Sequence, residues 1–220
     1  MNPAWSELIE GVCWTAKRMA ELSLVVGSGG NVSARLPGEE LIAITPGSLP
    51  YARMRPEDIV VVNLDGMRVE GRQRVSSETP MHTLVYKRMP TAGAVVHTQS
   101  AYATAFAVLR ESIPLVSTEG FAVNAPQLEV AGFEIPGSPE LGMEAVRVLE
   151  RQPGSRAVLL ANHGMLAVGA NLEQALSVAE NVERAAQIYY LARTLGTPHL
   201  ISAGDYERVR NHYAALRKAG

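Results

Sequence analysis

The chain has 220 residues, 47% of them hydrophobic and 19% charged, enough apolar matter for a real core and no compositional case for disorder. Its 20 Lys and Arg against 22 Asp and Glu leave a net charge of −2, so there is no broad basic field for nucleic acid or for an anionic membrane surface. A single cysteine, Cys13, excludes an internal disulfide framework and makes a reducing, cytoplasmic setting the expectation.

From the N-terminus, Asn2-Pro3 reads as a helix opening, Asn as cap and Pro at the first helical position. Leu8, Ile9, Val12, Cys13, Ala16, Met19 and Ala20 follow at helical spacing. Glu7 and Glu10 interrupt these apolar residues, which therefore do not read as a secretory signal. No apolar run anywhere nears the ~20 residues of a membrane span. Gly27-Ser28-Gly29-Gly30 forces a loop, and strands are expected at 31–36, 41–44 and 59–64. The last runs into Asp65-Gly66, a strong hairpin signal. Thr79-Pro80 repeats the cap-then-proline device and starts a helix to about Met89. A buried strand (94–98) and an Ala-rich helix (101–109) come next, then a helix opened by Ser138-Pro139-Glu140. A fully apolar strand (157–161), a long helix capped by Asn171 and running to Leu195, and a last helix near 205–216 complete the chain. With no repeat and no linker, residues 1–220 read as a single α/β domain, and the Asp65-Gly66 hairpin favours a mixed sheet.

Four features could carry chemistry, and each has a plainer reading. His97 ends the 94–98 strand and Gln99 lies two positions on, so in an extended segment both could face one ion; a lone His there serves equally as a hydrogen-bonded core residue. Asn162-His163-Gly164 follows the other apolar strand and could bring a second nitrogen ligand, or be a polar turn between Leu160 and Leu166. Ser76-Ser77-Glu78 precedes a helix whose free N–H groups suit a phosphate. Glu78 at that mouth could be cap, metal ligand or acid/base, or simply match the helix dipole. Gly29-Gly30-Asn31 and Thr45-Pro46-Gly47-Ser48 offer further donors for phosphate oxygens, although ordinary tight turns look alike.

The order of the motifs is more specific than any one of them. Gly30-Asn31-Val32-Ser33-Ala34-Arg35, Ile44-Thr45-Pro46, Ser76-Ser77-Glu78, Val95-Val96-His97-Thr98, Leu160-Ala161-Asn162-His163-Gly164 and Gln187-Ile188-Tyr189-Tyr190 resemble, in sequence order, the class II aldolase/adducin family, on its fuculose-phosphate aldolase side. The resemblance implies a three-layer α/β/α domain with a central mixed, largely antiparallel sheet, assembled as a homotetramer with sites between subunits. It implies a divalent metal, normally zinc, held by three histidines, two from a His-x-His pair. On that implication His97 and His163 are metal ligands, Gln99 stands at the second His of the pair, and Glu78 is the acid/base that also touches the metal. Asn31, Gly47, Ser48, Ser76 and Ser77 would line the phosphate site, with Gly30 giving close approach. The implied activity is metal-dependent cleavage of a ketose 1-phosphate into dihydroxyacetone phosphate and an aldehyde. An epimerase, dehydratase or decarboxylase on the same scaffold, or a non-catalytic adducin-like module, are the alternatives.

The chain departs from the family at informative places. Gln99 offers only a neutral amide oxygen, a weaker zinc ligand than imidazole. It could coordinate weakly or favour another metal; the site could instead be built from His97, His163 and Glu78, or be degraded. Gly47-Ser48 reverses the family's usual order in the phosphate loop. Epimerase relatives usually carry Asp at position 78 and another Asp after the His-x-His helix, whereas positions 101–135 here contain none, which favours an aldolase. The aldolases' tyrosine in that region is absent; Thr118 is nearest, and Glu119 is a candidate substitute proton carrier. Tyr213 resembles a tyrosine that reaches a neighbouring subunit's site. His82 is read as capping or packing, and His199 and His212 receive no role.

Overall fold

Ile9, Val12, Cys13, Ala16 and Met19 form one apolar buried stripe along α1 (Ser6–Glu21), with Thr15 buried beside it. The computed structural model describes residues 5–219, so the expected Asn2-Pro3 opening lies outside them. After the glycine loop come β1 (Asn31–Arg35), β2 (Leu41–Ile44), β3 (Val60–Asn63) and β4 (Arg68–Glu70), the last two joined across Asp65-Gly66 as that dipeptide predicts. Then follow α2 (Thr79–Arg88), β5 (Ala94–Thr98), α3 (Ala101–Leu109) and three two-residue strands, β6 (Ile113–Pro114), β7 (Gln127–Leu128) and β8 (Val130–Ala131). The chain finishes with α4 (Pro139–Arg151), β9 (Ala157–Leu160), β10 (Gly164–Gly169), α5 (Leu172–Leu195) and α6 (Ala203–Ala219).

Eight strands make one sheet in the order β4-β3-β2-β1-β5-β10-β9-β8. All neighbours run antiparallel except β8 and β9, so the sheet is mixed and largely antiparallel, as expected. Side chains alternate between its two faces. Val32, Ala34, Val96 and Ala167 pack under α1, α3 and α5, while Val95, Val158, Leu166 and Val168 pack under α2 and α4. Two helical layers thus sandwich the sheet.

The helix starts follow their cap chemistry. Asn171 Oδ1 accepts from Gln174 N (2.8 Å) and Ser138 Oγ from Leu141 N (3.2 Å). The start of α2 corrects the expected register by one residue: Glu78, not Thr79, is the N-cap, and Thr79 Oγ1 donates to the Ser76 carbonyl instead (2.8 Å). In the first turn of α3, the backbone N–H groups of Tyr102 and Ala103 each donate to a Glu183 oxygen (2.9 Å), tying the start of α3 to α5. Among the described residues no helix is long and apolar enough to cross a membrane.

Candidate active site

β5 lies at the centre of the sheet, with β1 on one side and β10 on the other. The ladder sets Asn31 opposite His97 on β1 and Leu166 opposite His97 on β10. The strand end is gripped by two glycines. A Cβ at Gly30 (φ +66°) would stand 2.4 Å from the His97 carbonyl oxygen, and one at Gly164 would stand 2.1 Å from that of Thr98. No other residue fits at either place without moving β5. The close approach expected of Gly30 is therefore made to a neighbouring strand.

His163 sits in the tight turn between β9 and β10, after Asn162 in the left-handed conformation (φ 56°). The polar turn expected between Leu160 and Leu166 is tight, and the chain passes straight into β10 at Gly164. That turn brings the His163 ring to His97, with ring centroids 4.7 Å apart. Glu78, at the N-terminal mouth of α2, points between them: Oε2 is 3.2 Å from His97 Nε2 and Oε1 is 3.6 Å from His163 Nε2. One donor atom from each of the three residues lies within 4.8 Å of the others. Residues 78, 97 and 163, far apart in sequence, are thus brought together.

The electronic state of this cluster is informative. His97 Nδ1–H donates to the Met165 carbonyl (2.9 Å), which leaves the Nε2 lone pair facing the Glu78 carboxylate. Two acceptors cannot hydrogen-bond each other, and Glu78 Oε2, His97 Nε2 and His163 Nδ1 are all buried without a hydrogen-bond partner. Burial pushes the His97 pKa down to about 4 against the opposing pull of Glu78, a shift that favours the neutral ring. Each unpaired buried atom costs about 1–3 kcal/mol. A divalent cation relieves this cost at Glu78 and His97, and two imidazoles with a carboxylate are a donor set that zinc accepts. The residues present therefore fit a metal.

These three side chains form the inner end of a cavity of about 320 Å³, lined also by Ser28, Gly29, Gly30, Asn31, Pro46, Gly47, Ser48, Arg74, Ser76, Ser77, Gln99 and Pro136. Every residue expected in the phosphate site reaches this one cavity. Their backbone is less available than expected: Gly29 N already donates to Val26 O and Gly47 N to Arg74 O, both at 2.9 Å. The side chains of Asn31, Ser48, Ser76 and Ser77 supply donors beside the backbone groups that remain. Tyr51 Oη donates to the Gly30 carbonyl (2.6 Å) and Thr45 Oγ1 accepts from Val32 N (3.2 Å), so both loops are pinned from beneath. Ser48 takes the left-handed conformation (φ 61°) usually left to glycine, the local consequence of the reversed Gly47-Ser48 order.

Gln99 lines the same cavity but is exposed, with its amide oxygen against Gly29, where an added Cβ would lie 2.5 Å away. Tyr213 is half-exposed on α6 and does not line the cavity of its own chain; neither do Thr118 and Glu119. Arg74 was missed. Among the described residues it is the only Lys or Arg in the lining, and no local pattern marks it, because its carbonyl's bond to Gly47 is what places it there. His82 does more than cap or pack: it is fully buried and bonded through both ring nitrogens.

Comparison with known proteins agrees with this geometry. Residues 10–190 match the family model described as Class II Aldolase and Adducin N-terminal domain. The 5-deoxy-D-ribulose 1-phosphate aldolase of Bacillus thuringiensis serovar kurstaki is 38% identical over 197 residues, covering 90% of this chain and 91% of its own. An L-ribulose-5-phosphate 4-epimerase of Salmonella paratyphi B is 35% identical, covering 90% and 88%. A solved L-fuculose 1-phosphate aldolase superposes with a TM-score of 0.89 at 35% identity, covering 95% of this chain and 97% of that one.

Proposed function

The chain belongs to the class II aldolase and adducin family, and from that premise we propose that it is a metal-dependent aldolase that splits a ketose 1-phosphate into dihydroxyacetone phosphate and an aldehyde. The observation that carries this reading is the unpaired Glu78–His97–His163 cluster at the closed end of a donor-lined cavity. Glu78, His97 and His163 hold the cation, zinc first among those to test, with the Gln99 amide at the rim. The chemistry such a cation supplies is Lewis-acid stabilisation of charge developing on the substrate's carbonyl oxygen.

The chain's own residues supply the rest. Asn31, Ser48, Ser76 and Ser77 offer side-chain donors to the phosphoester, and Arg74 offers the charge that matches it. Held there, the ester places C2 and C3 of the ketose toward the inner end. Cleavage breaks the C3–C4 bond: the C4 hydroxyl loses its proton, its carbon leaves as the aldehyde, and C3 gains a proton. Glu78 is the acid/base at C3, since its carboxylate is the only one lining the cavity. The proton from the C4 hydroxyl needs a second carrier. Tyr213 fills that role if it enters from a neighbouring subunit of a homotetramer, and the exposed apolar residues Leu109, Tyr190 and Leu195 on α3 and α5 support self-association. The relative named for 5-deoxy-D-ribulose 1-phosphate makes that ketose the first to try, with L-fuculose 1-phosphate second. An epimerase would use the same cavity, but Glu78 in place of Asp favours cleavage.

The test is metal analysis of the purified protein, of His163→Ala and of Gln99→His, with both ketose 1-phosphates as substrates. Stoichiometric metal and release of dihydroxyacetone phosphate are expected from the unaltered chain, with metal lost in His163→Ala. Glu78→Gln should lower kcat by about 10²–10⁴-fold. Metal and turnover confined to Gln99→His would show a disabled site, and a C4 epimer without triose release would show an epimerase.

A further inference from the structure

β1 and α2 face each other through a four-residue hydrogen-bonded chain. Asn31 and Ser33 share one face of β1, two residues apart, and His82 and Tyr86 share one face of α2, four apart. His82 Nε2 bonds Asn31 Oδ1, His82 Nδ1 lies 2.6 Å from Ser33 Oγ, and Ser33 Oγ lies 2.9 Å from Tyr86 Oη. All four residues are buried, and of the four only Asn31 lines the cavity.

The direction of the chain follows from its counting of protons. Burial holds the His82 pKa down to about 3, so the ring is neutral and carries one N–H. With that hydrogen on Nε2, it donates to Asn31 Oδ1, and Nδ1 accepts from the Ser33 hydroxyl. Ser33 Oγ in turn accepts from the Tyr86 hydroxyl. Every donor then has an acceptor. The alternative tautomer would need the Asn31 amide reversed, with its NH₂ toward His82 and its oxygen toward the cavity. An oxygen there would repel an anionic ester, whereas an NH₂ group grips it.

We propose that His82, backed by Ser33 and Tyr86, is a positioning residue that locks the Asn31 amide with its NH₂ end toward the substrate's phosphoester. The inference rests on the proposed sugar-phosphate reading of the cavity. It adds a specificity determinant that never touches substrate and lies outside the metal cluster. The same buried chain makes the donor pattern of the pocket part of the β1–α2 core.

Two conservative replacements test it. The amide nitrogen of glutamine falls near the position of Nε2 and keeps a donor for Asn31; that of asparagine falls near Nδ1 and does not. Metal-loaded His82→Asn should therefore raise KM for the ketose 1-phosphate, and the inhibition constant of inorganic phosphate, by about 10- to 100-fold, with kcat within a few-fold. His82→Gln should recover most of that loss. Combining His82→Asn with Asn31→Ala should add nothing to Asn31→Ala alone. Melting curves would confirm that both His82 variants fold, and Tyr86→Phe, which removes only the far hydroxyl, supplies a milder version of the same shift. Equal phosphate affinity in the unaltered protein and His82→Asn, or full additivity with Asn31→Ala, would overturn the inference. An unaltered protein that neither binds phosphate nor cleaves any ketose 1-phosphate would instead overturn the reading of the cavity itself.

Discussion

The two ends of the cavity are built differently. At the inner end, Glu78, His97 and His163 are nearly sealed from solvent and stand on a helix mouth, a central strand and a tight turn, with three polar atoms left unpaired. At the rim, Ser48, Arg74 and Ser77 are exposed and stand on loops whose Gly29 and Gly47 backbone N–H groups are already bonded within the protein. The inner end carries an energetic deficit that a ligand must make good. Among the described residues, no rim side chain leaves a buried polar atom unpaired, and the rim side chains can be altered with little effect on folding. Chemistry therefore belongs to the rigid end, and selectivity among substrates to the adaptable one.

The largest consequence of this contrast concerns acid. His82 and His97 are held neutral, with folded pKa values of about 3 and 4 against an ordinary value near 6.5. Between those limits the unfolded chain binds more protons, so stability falls as pH drops below about 6.5. Together the two rings contribute a slope on the order of 1 kcal/mol per pH unit in that window. Urea unfolding of the chelator-stripped protein at pH 7, 6, 5 and 4 should show this slope. A flat profile would mean the inner end is wetter than its burial indicates.

A smaller effect belongs to the rim. Arg74→Ala should raise KM for a phosphorylated ketose about tenfold, leave kcat nearly unchanged and flatten the dependence of KM on salt. An unchanged KM across an ionic-strength series would remove Arg74 from phosphate recognition. The smallest expected effect is at Ser48, whose left-handed backbone is strained for any residue but glycine. Ser48→Gly should stabilise the protein by about 0.5–1 kcal/mol, or a rise of about 1–4 °C in Tm, while KM rises slightly from the lost hydroxyl.

Much of this was legible in the sequence, for identifiable reasons. Asn171 and Ser138 marked helix starts because capping is local chemistry. The strand at 94–98 was legible because Ala94-Val95-Val96 is a compact apolar run with β-branched valines, between Gly93 and the polar His97-Thr98-Gln99. β10 was not, since Gly164–Gly169 is buried on both faces and shows no alternation to separate it from a loop. The short strands β6, β7 and β8 carry two residues each, too few for any periodicity. Within the site, Glu78, His97 and His163 could be named from ordered motifs. Arg74 could not, because a contact between distant loops places it. The partnership of His82 with Asn31 spans 51 positions and depends on β1 and α2 facing each other.

The paired glycines beside β5 bear on how such a catalyst could be remodelled. Gly30 and Gly164 clasp the carbonyls of His97 and Thr98 so closely that any methyl group would pry the strand from its neighbours. A randomised library seeking new aldehyde products should leave that clasp untouched and diversify positions 28 and 136, which line the cavity outside the metal cluster and the proposed phosphate donors. Variants drawn from those two sites would inherit an intact reaction centre, so screening effort would go to novelty rather than to rescue of broken folds.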